Sequence, residues 1–144
     1  MPGMAQFRTT RHIVGDYSLT TSDVYKHFDD SVAAICDMEH RDYLYELPYR
    51  CLYRSDYPNL LAAGRCVSAD GYAWDVVRVI PPAIITGQVA GLAASQAIEH
   101  NCGVSQIDTK TLQTTLISEN VITKFDDAWL PSEFTPYKAN IDHN

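Results

Sequence analysis

The chain has 144 residues, a net charge of -7 and a hydrophobic share of 46%, which together indicate one globular domain with a real core. The acidic excess argues against nucleic acid and against an anionic membrane surface as partners, since both require a basic footprint. The four cysteines form no C-x-x-C pair, so we expect free thiols and no metal site, and the longest apolar stretch is too interrupted to span a membrane. The first residues have no apolar signal core, and the cytoplasm is our default expectation for the compartment.

The first third of the chain is expected to hold one helix. Residues 6–17 predict an extended segment that ends in a turn at Gly15-Asp16. The polar residues from Thr20 onward are typical of a helix start. Apolar residues then recur at three- and four-residue steps, at Val24, Phe28, Val32 and Ile35. We therefore predict an amphipathic helix from about Thr20 to Cys36.

The next segment is rich in tyrosine and favours extended structure. Residues 42–54 predict a strand, with Pro48 at an edge or at the strand start. A turn is expected at residues 55–59. The short apolar run at residues 59–63 is typical of a buried parallel strand, and Gly64 closes it.

A long helix is predicted from Pro82 to about His100, because proline is tolerated in the first helical turn. One of its faces is nearly bare of side chains and would let another backbone or a flat ligand approach; this face carries Gly87, Ala90, Gly91 and Ala94. Gly103 is expected to end the helix as a left-handed cap. Asp108 then predicts the cap of a shorter helix to about Ser118. Residues 123–144 are expected to form an irregular tail that packs by its aromatic residues.

The segment from residue 59 to residue 100 is the most informative part of the chain. Taken on its own, it predicts a strand that delivers a tight Gly64 turn to a ligand, followed by a helix whose N-terminus faces the same place. Backbone amides and the helix dipole favour negative charge at such a point. The alternative is an ordinary strand–helix packing unit, in which the small residues serve only close contact.

This segment and its upstream neighbours carry several motifs in a fixed order. They are RTTRHIVGDYSLT at residues 8–20, ELPYRCL at 46–52, NLLAAGRCVS at 59–68, RVIPP at 78–82 and GQVAGLAA at 87–94. Together they resemble the C-terminal flavin-binding segment of FAD-dependent oxidoreductases of the succinate dehydrogenase/fumarate reductase-like class. More closely, they resemble the bacterial FAD-dependent oxidoreductase family. The resemblance covers roughly Arg8 to Ile122.

The resemblance implies that FAD is the cofactor and that seven residues contact it. Gly64 would let the backbone approach the ribityl–pyrophosphate region, with Arg65 beside it. Arg78 would either add a fixed positive charge near the flavin or form a structural salt bridge. The helix N-terminus would lie at the pyrimidine edge of the isoalloxazine, where its dipole stabilises the charge of the reduced flavin, through Pro81, Pro82, Ala83 and Ile84.

The catalytic residues are not identified by the sequence, but three residues are candidates. His40 would be a proton donor near the flavin or substrate, or else a hydrogen-bonded structural histidine. Tyr49 and Arg50 would face the substrate side of the flavin, or else pack in the core and at an edge. Gly87 and Gly91 are expected to serve close helix packing more than direct contact with the flavin.

The fold class implied is α/β, as the C-terminal segment of an FAD-binding Rossmann-like fold (α+β as an isolated piece). The N-terminal βαβ unit of that fold carries G-x-G-x-x-G, and no such spacing exists among the 7 glycines. We therefore expect residues 1–144 to be a single C-terminal fragment of an enzyme that transfers hydride between a small organic substrate and flavin, inactive and without bound FAD when alone. Its partner would be the missing N-terminal part or a self-associating copy. The alternative is a non-catalytic subunit or interaction module that keeps the family core without the cofactor.

Overall fold

The computed structural model describes residues 9–40 and 42–131, and the fold is a small sheet flanked by helices. The regular elements of this part are β1 (Ser31–Cys36), β2 (Leu44–Pro48), α1 (Tyr72–Val77), α2 (Ile80–Glu99) and α3 (Thr109–Ser118). Short 3-10 turns lie between them, at Thr21–Asp23, Tyr49–Cys51, Gly64–Cys66, Val104–Gln106 and Asp127–Trp129. This mixture of helix and sheet is compatible with the α/β class.

The sheet is an antiparallel hairpin of β1 and β2, whose register places Ala33 opposite Leu47 and Ile35 opposite Tyr45. Both pairs are buried, because α2 and α3 pack against β1. The strand predicted in the tyrosine-rich segment is therefore confirmed as β2. Pro48 is its last residue, at a position where a missing N–H costs no ladder hydrogen bond.

The helix predicted from Thr20 to Cys36 is wrong. The start signal itself is present, because the Asp23 carboxylate accepts the Thr20 N–H at 2.9 Å, but only one 3-10 turn follows. Tyr25 has a φ of 61°, which a continuing α-helix does not allow. Val32 and Ile35 are buried as members of β1, so the helical spacing arose from a buried loop followed by a buried strand.

The buried parallel strand predicted at residues 59–63 is also wrong. Leu60 is 51% exposed, and Leu61 forms only an isolated antiparallel bridge with Tyr53. The described residues contain one isolated parallel bridge, between Leu19 and Ala69, and no parallel sheet. The segment forms backbone contacts with Leu52 and Tyr53 on one side, and no described residue pairs with its other side.

The two long helices lie where the sequence predicts them, but α2 does not end through Gly103. Asn101 is the left-handed residue, with a φ of 49°, and the Cys102 N–H reaches back to the Ala97 carbonyl at 2.9 Å. This is a Schellman ending, and asparagine tolerates it better than other residues with a side chain. Gly103 has a φ of -72° and instead packs against Pro58, where an added Cβ would come within 3.1 Å of the proline Cβ.

The cap predicted for α3 is confirmed, because Asp108 accepts the Lys110 N–H at 3.0 Å. The chain then runs back along the outer edge of β1, where the Ala34 N–H donates to the Ile122 carbonyl at 2.7 Å. Within the tail predicted at 123–144, the described part is irregular apart from the turn Asp127–Trp129. Of the aromatic residues predicted to pack there, Trp129 is 53% exposed, and Phe134 and Tyr137 lie outside the described residues.

The four cysteines are free thiols, and Cys51 is the buried one. In the part of the chain that the structure describes, no helix is long and apolar enough to cross a membrane. No cluster of histidine, cysteine and carboxylate side chains within these same residues could hold a metal ion.

Candidate functional site

The glycine turn predicted at Gly64 packs directly on the first turns of α2. Gly64 has a φ of +74°, and its N–H donates to Thr86 Oγ1 at 2.8 Å. The same hydroxyl donates to the Pro82 carbonyl oxygen at 2.7 Å. A Cβ added to Gly64 would meet the Ala83 Cβ at 4.0 Å, an ordinary van der Waals distance. Glycine is therefore required by the backbone conformation, and space beside the turn stays open.

The N-terminus of α2 is poorer in hydrogen-bond donors than a usual helix start. The first amide bonded within the helix belongs to Ala83, which donates to Val79. Of the three helical positions before it, Pro81 and Pro82 have no N–H. Ile80 is thus the one residue of the three whose amide can donate to a ligand. The helix dipole remains, but negative charge at this end would meet few backbone donors.

The two predicted arginines differ in their availability. Arg65 is exposed and forms no ion pair with any residue that the structure describes, while its carbonyl oxygen accepts the Trp74 indole N–H at 2.8 Å. Arg78 instead pairs with Asp75 within its own helical turn. The contact that Arg78 makes is therefore the ion pair of the salt-bridge alternative. Arg65, in the Gly64 turn, is the cation that is free to meet an anion.

A small apolar cavity of about 80 Å³ separates the end of β1 from the start of α2. Cys36 and Met38 line its strand side, and Pro81, Pro82 and Ile85 line its helix side. The cavity is far too small for a ring system. It does show that the loop after β1 lies next to the N-terminus of α2.

His40 belongs to that loop and is oriented by a buried carboxylate. Its Nδ1 lies 3.1 Å from Asp37 Oδ2 and 2.9 Å from the Tyr72 hydroxyl, which itself donates to Asp37 Oδ1 at 2.9 Å. Because the hydroxyl proton is used on Asp37, Nδ1 must carry the proton in this arrangement. Nε2 of the neutral ring is then the basic nitrogen, on a side chain that is 38% exposed.

The charge state of this cluster is set by its hydrogen bonds. Burial alone would raise the pKa of Asp37, but the backbone amides of His40 and Glu39 and the hydroxyl of Tyr72 lower the pKa below its ordinary value of 3.8. Burial and the hydrogen bond to Asp37 raise the pKa of Tyr72. The carboxylate therefore stays ionised and the phenol stays protonated near neutral pH.

Tyr49 and Arg50 are engaged within the fold. Tyr49 is buried, its hydroxyl donates to the Val104 carbonyl oxygen at 2.8 Å, and burial raises its pKa. Arg50 forms a two-pronged ion pair with Asp30, at 2.8 Å from Nε and 3.1 Å from Nη2. These placements correspond to the packing alternative for both residues, although the Arg50 side chain remains 42% exposed.

The outward side of α2 carries an apolar stripe, which we call the outer seam: Ile80, Ile84, Gly87, Gly91 and Ile98. The three isoleucines are exposed by 71%, 66% and 80%. A Cβ added at Gly87 or Gly91 would meet nothing within 4 Å. The opposite side of the helix is buried through residues such as Val89 and Ala93. The packing role expected of Gly87 and Gly91 is therefore not fulfilled by any described residue of the chain.

Comparison with known families connects this geometry to a cofactor. The sequence model of the family described as FAD dependent oxidoreductase matches residues 2–116. The chain belongs to the FAD-dependent oxidoreductase family. No curated protein and no solved structure gives a significant match. The matched range includes the Gly64 turn, α1, α2 and nearly all of α3.

Membership of the FAD-dependent oxidoreductase family suggests FAD as the cofactor, and the residues present fit part of that molecule. Arg65 offers a free cation, Gly64 leaves open space, and both lie in the turn that is hydrogen-bonded to α2. The sequence predicts Gly64 and Arg65 as cofactor contacts, but it gives no indication of Thr86, which holds the turn on the helix. A threonine in a helix interior has no sequence signal that reveals a partner 22 residues away.

Proposed function

We propose that this chain is the flavin-contacting C-terminal part of an FAD-dependent oxidoreductase of the succinate dehydrogenase/fumarate reductase-like class. When bound, the flavin accepts or donates the hydride that a small organic substrate exchanges. The observation that carries the proposal is the attachment of the Gly64 turn to α2 through Thr86, within a chain that matches this family. The chain supplies part of a flavin site and lacks the glycine fingerprint for the ADP half.

The residues proposed to hold the flavin lie around the start of α2. Gly64 allows close approach of the backbone, and the exposed Arg65 meets negative charge on the cofactor. The first turns of α2 supply four further proposed contacts: Pro81, Pro82, Ala83 and Ile84. Arg78, which precedes α2 and is paired with Asp75, is the last proposed contact. Because two of these residues are prolines, the dipole and the Ile80 amide provide the stabilisation of negative charge at this end.

His40 is the proposed proton-transfer residue. Asp37 fixes its ring with Nδ1 protonated, which leaves Nε2 as the basic atom. The loop that carries His40 borders the start of α2 through Cys36 and Met38. Tyr49 is buried, and the Arg50 guanidinium is paired with Asp30 and has no acceptor atom, so neither side chain offers a basic atom for proton transfer.

The outer seam is the proposed docking surface for the N-terminal, ADP-binding part of the enzyme. Three large exposed isoleucines on one helix face cost free energy in water unless another surface covers them. The two glycines between them permit a close backbone contact. The occupant follows from the family, because FAD needs a pyrophosphate-binding unit that this sequence does not contain.

The test is flavin retention, measured by visible absorbance after unbound FAD is removed. We expect the chain alone to retain none, and the chain joined to its upstream ADP-binding part to retain about one flavin per protein. In the joined protein, Ile84→Glu should abolish retention. Ile117→Glu, at an exposed isoleucine on a different helix, α3, should leave retention unchanged.

Two results would contradict the proposal. Stoichiometric flavin on the chain alone would show that the ADP-binding part is not needed. A colourless, stable oligomer of the chain, unaffected by the upstream part and broken by Ile84→Glu, would instead support the non-catalytic interaction module, with a second copy covering the outer seam.

A further inference from the structure

His27 lies between two carboxylates that come from distant parts of the chain. Its Nδ1 is 2.7 Å from Glu46 Oε1, and its Nε2 is 2.9 Å from Asp127 Oδ1. Glu46 belongs to β2 and its side chain is fully buried, whereas Asp127 lies on the exposed turn Asp127–Trp129. The imidazole therefore connects the core of the hairpin to the last turn that the structure describes.

Both contacts can be hydrogen bonds only when the imidazole is protonated. A neutral ring has one N–H, so one of two facing carboxylates would then meet a nitrogen lone pair. The hydrogen bonds to Asp127 and Glu46 accordingly raise the pKa of His27 above its ordinary value of 6.5. The His27 imidazolium in this way pairs with one buried carboxylate, Glu46, and one exposed carboxylate, Asp127.

The charged groups that face His27 within the described chain are these two carboxylates. The neighbouring Lys26 ammonium points elsewhere, to Asp23 Oδ1 at 3.0 Å, and the Asp126 carboxylate caps the Ala128 N–H at 2.9 Å. The ring itself packs on Phe125, with the two centroids 4.3 Å apart. No further titratable group therefore competes for the imidazole.

Loss of the proton breaks the outer contact rather than the inner one. Glu46 is buried and its other oxygen already accepts the Phe28 N–H at 2.8 Å, so an unpaired carboxylate oxygen would be costly there. Asp127 is exposed and exchanges its partner for water at little cost. The neutral ring thus keeps its proton on Nδ1 toward Glu46 and turns a lone pair toward Asp127.

The chain just before Asp127 is held by contacts that do not titrate. The Ile122 carbonyl accepts the Ala34 N–H at 2.7 Å, and the Thr123 carbonyl accepts the Ser31 hydroxyl at 2.5 Å. Phe125 is buried. Only the turn beyond Phe125 therefore depends on His27.

We propose that His27 is a protonation-dependent latch for the turn Asp127–Trp129. As an imidazolium it holds the turn Asp127–Trp129 against the β1–β2 hairpin, and as a neutral ring it releases that turn. The stretch from Ile122 to Phe125 stays on the edge of β1 in both states.

The test is an NMR titration of the full chain from about pH 5 to pH 9, the range in which histidine changes its charge. The His27 ring signal should have a midpoint above 6.5, and the Ala128 amide and Trp129 indole signals should shift with the same midpoint. The Ala34 amide should not shift. Asp127→Asn should lower the midpoint of His27 and remove the response of Ala128.

Asp126→Asn is the matched control, because Asp126 is the adjacent acid, does not contact His27 and keeps a capping oxygen as asparagine. It should change neither the midpoint nor the response. Asp127 is exposed, so its substitution leaves the contact of His27 with the buried Glu46 in place. The latch is disproved if Ala128 and Trp129 fail to follow the midpoint of His27, or if Ala34 shifts with them because the whole hairpin opens.

Discussion

The backbone N–H of Gly64 donates to Thr86 Oγ1 across 2.8 Å, and this bond joins the glycine turn to the second turn of α2. The Thr86 hydroxyl itself donates a hydrogen bond to the Pro82 carbonyl oxygen, so one side chain serves both the turn and the helix start. The position of the turn relative to α2 therefore depends on a buried hydroxyl group.

Thr86→Val should loosen the glycine turn. The valine keeps the shape of threonine but leaves the Gly64 N–H without its acceptor, which costs about 1–3 kcal/mol in the free energy of unfolding. Urea denaturation measures the loss, and amide hydrogen exchange should show faster exchange at Gly64. Thr86→Ser keeps the hydroxyl and should retain slow exchange at Gly64, and equal exchange in the two variants would contradict the role of this bond.

Gly64→Ala should be destabilising although there is room for the methyl group. The φ of +74° costs a residue with a Cβ about 1–2 kcal/mol, whereas the added methyl group would lie 4.0 Å from the Ala83 Cβ, without a clash. Gly87→Ala is the control, since Gly87 lies in an exposed helix interior and should gain about 0.5–1 kcal/mol. Thermal or urea unfolding of both variants checks the opposite signs, and a neutral Gly64→Ala would show that the turn relaxes.

Asp37 should make the protein less stable in acid. Its pKa in the folded chain is below the ordinary value of 3.8, so the carboxylate stabilises the fold above that value. The contribution is lost as the pH falls through the lower, folded pKa. Asp37→Asn should therefore be less stable than the wild type at neutral pH and lose less stability between neutral and strongly acidic solution. Parallel urea curves at each pH measure this, and an unchanged pH dependence would contradict it.

Local signals predicted the helices because their determinants lie within a few residues. Asp108 caps α3 by accepting from donors no more than three residues away, and the prolines at the start of α2 mark its first turn. Two such helices account for most of the regular structure that the sequence foresaw. The ending of α2 was assigned to Gly103 because glycine is the usual left-handed residue, whereas Asn101 takes that role here.

The failures involve segments whose structure depends on distant partners. Residues 31–36 became a strand because β2 pairs with them, and the apolar spacing at Val24 and Phe28 could not reveal that. Residues 59–63 follow the chain at Leu52 and Tyr53 on one side only. The contact of His27 with Asp127 spans 100 residues and has no motif. Sequence alone therefore identified the family and the glycine turn, but not the side chains that hold the site together.

The two prolines at the start of α2 also fix the residue at which that helix begins. If α2 shifted its start upstream by one turn, Pro81 and Pro82 would enter the helix interior, where the ring clashes with the preceding turn. The first residue of α2 is therefore determined to within a narrow limit. Because Ile84 and Ile98 lie on this one continuous helix, more than three helical turns apart, the distance between them along the axis is fixed at about 21 Å.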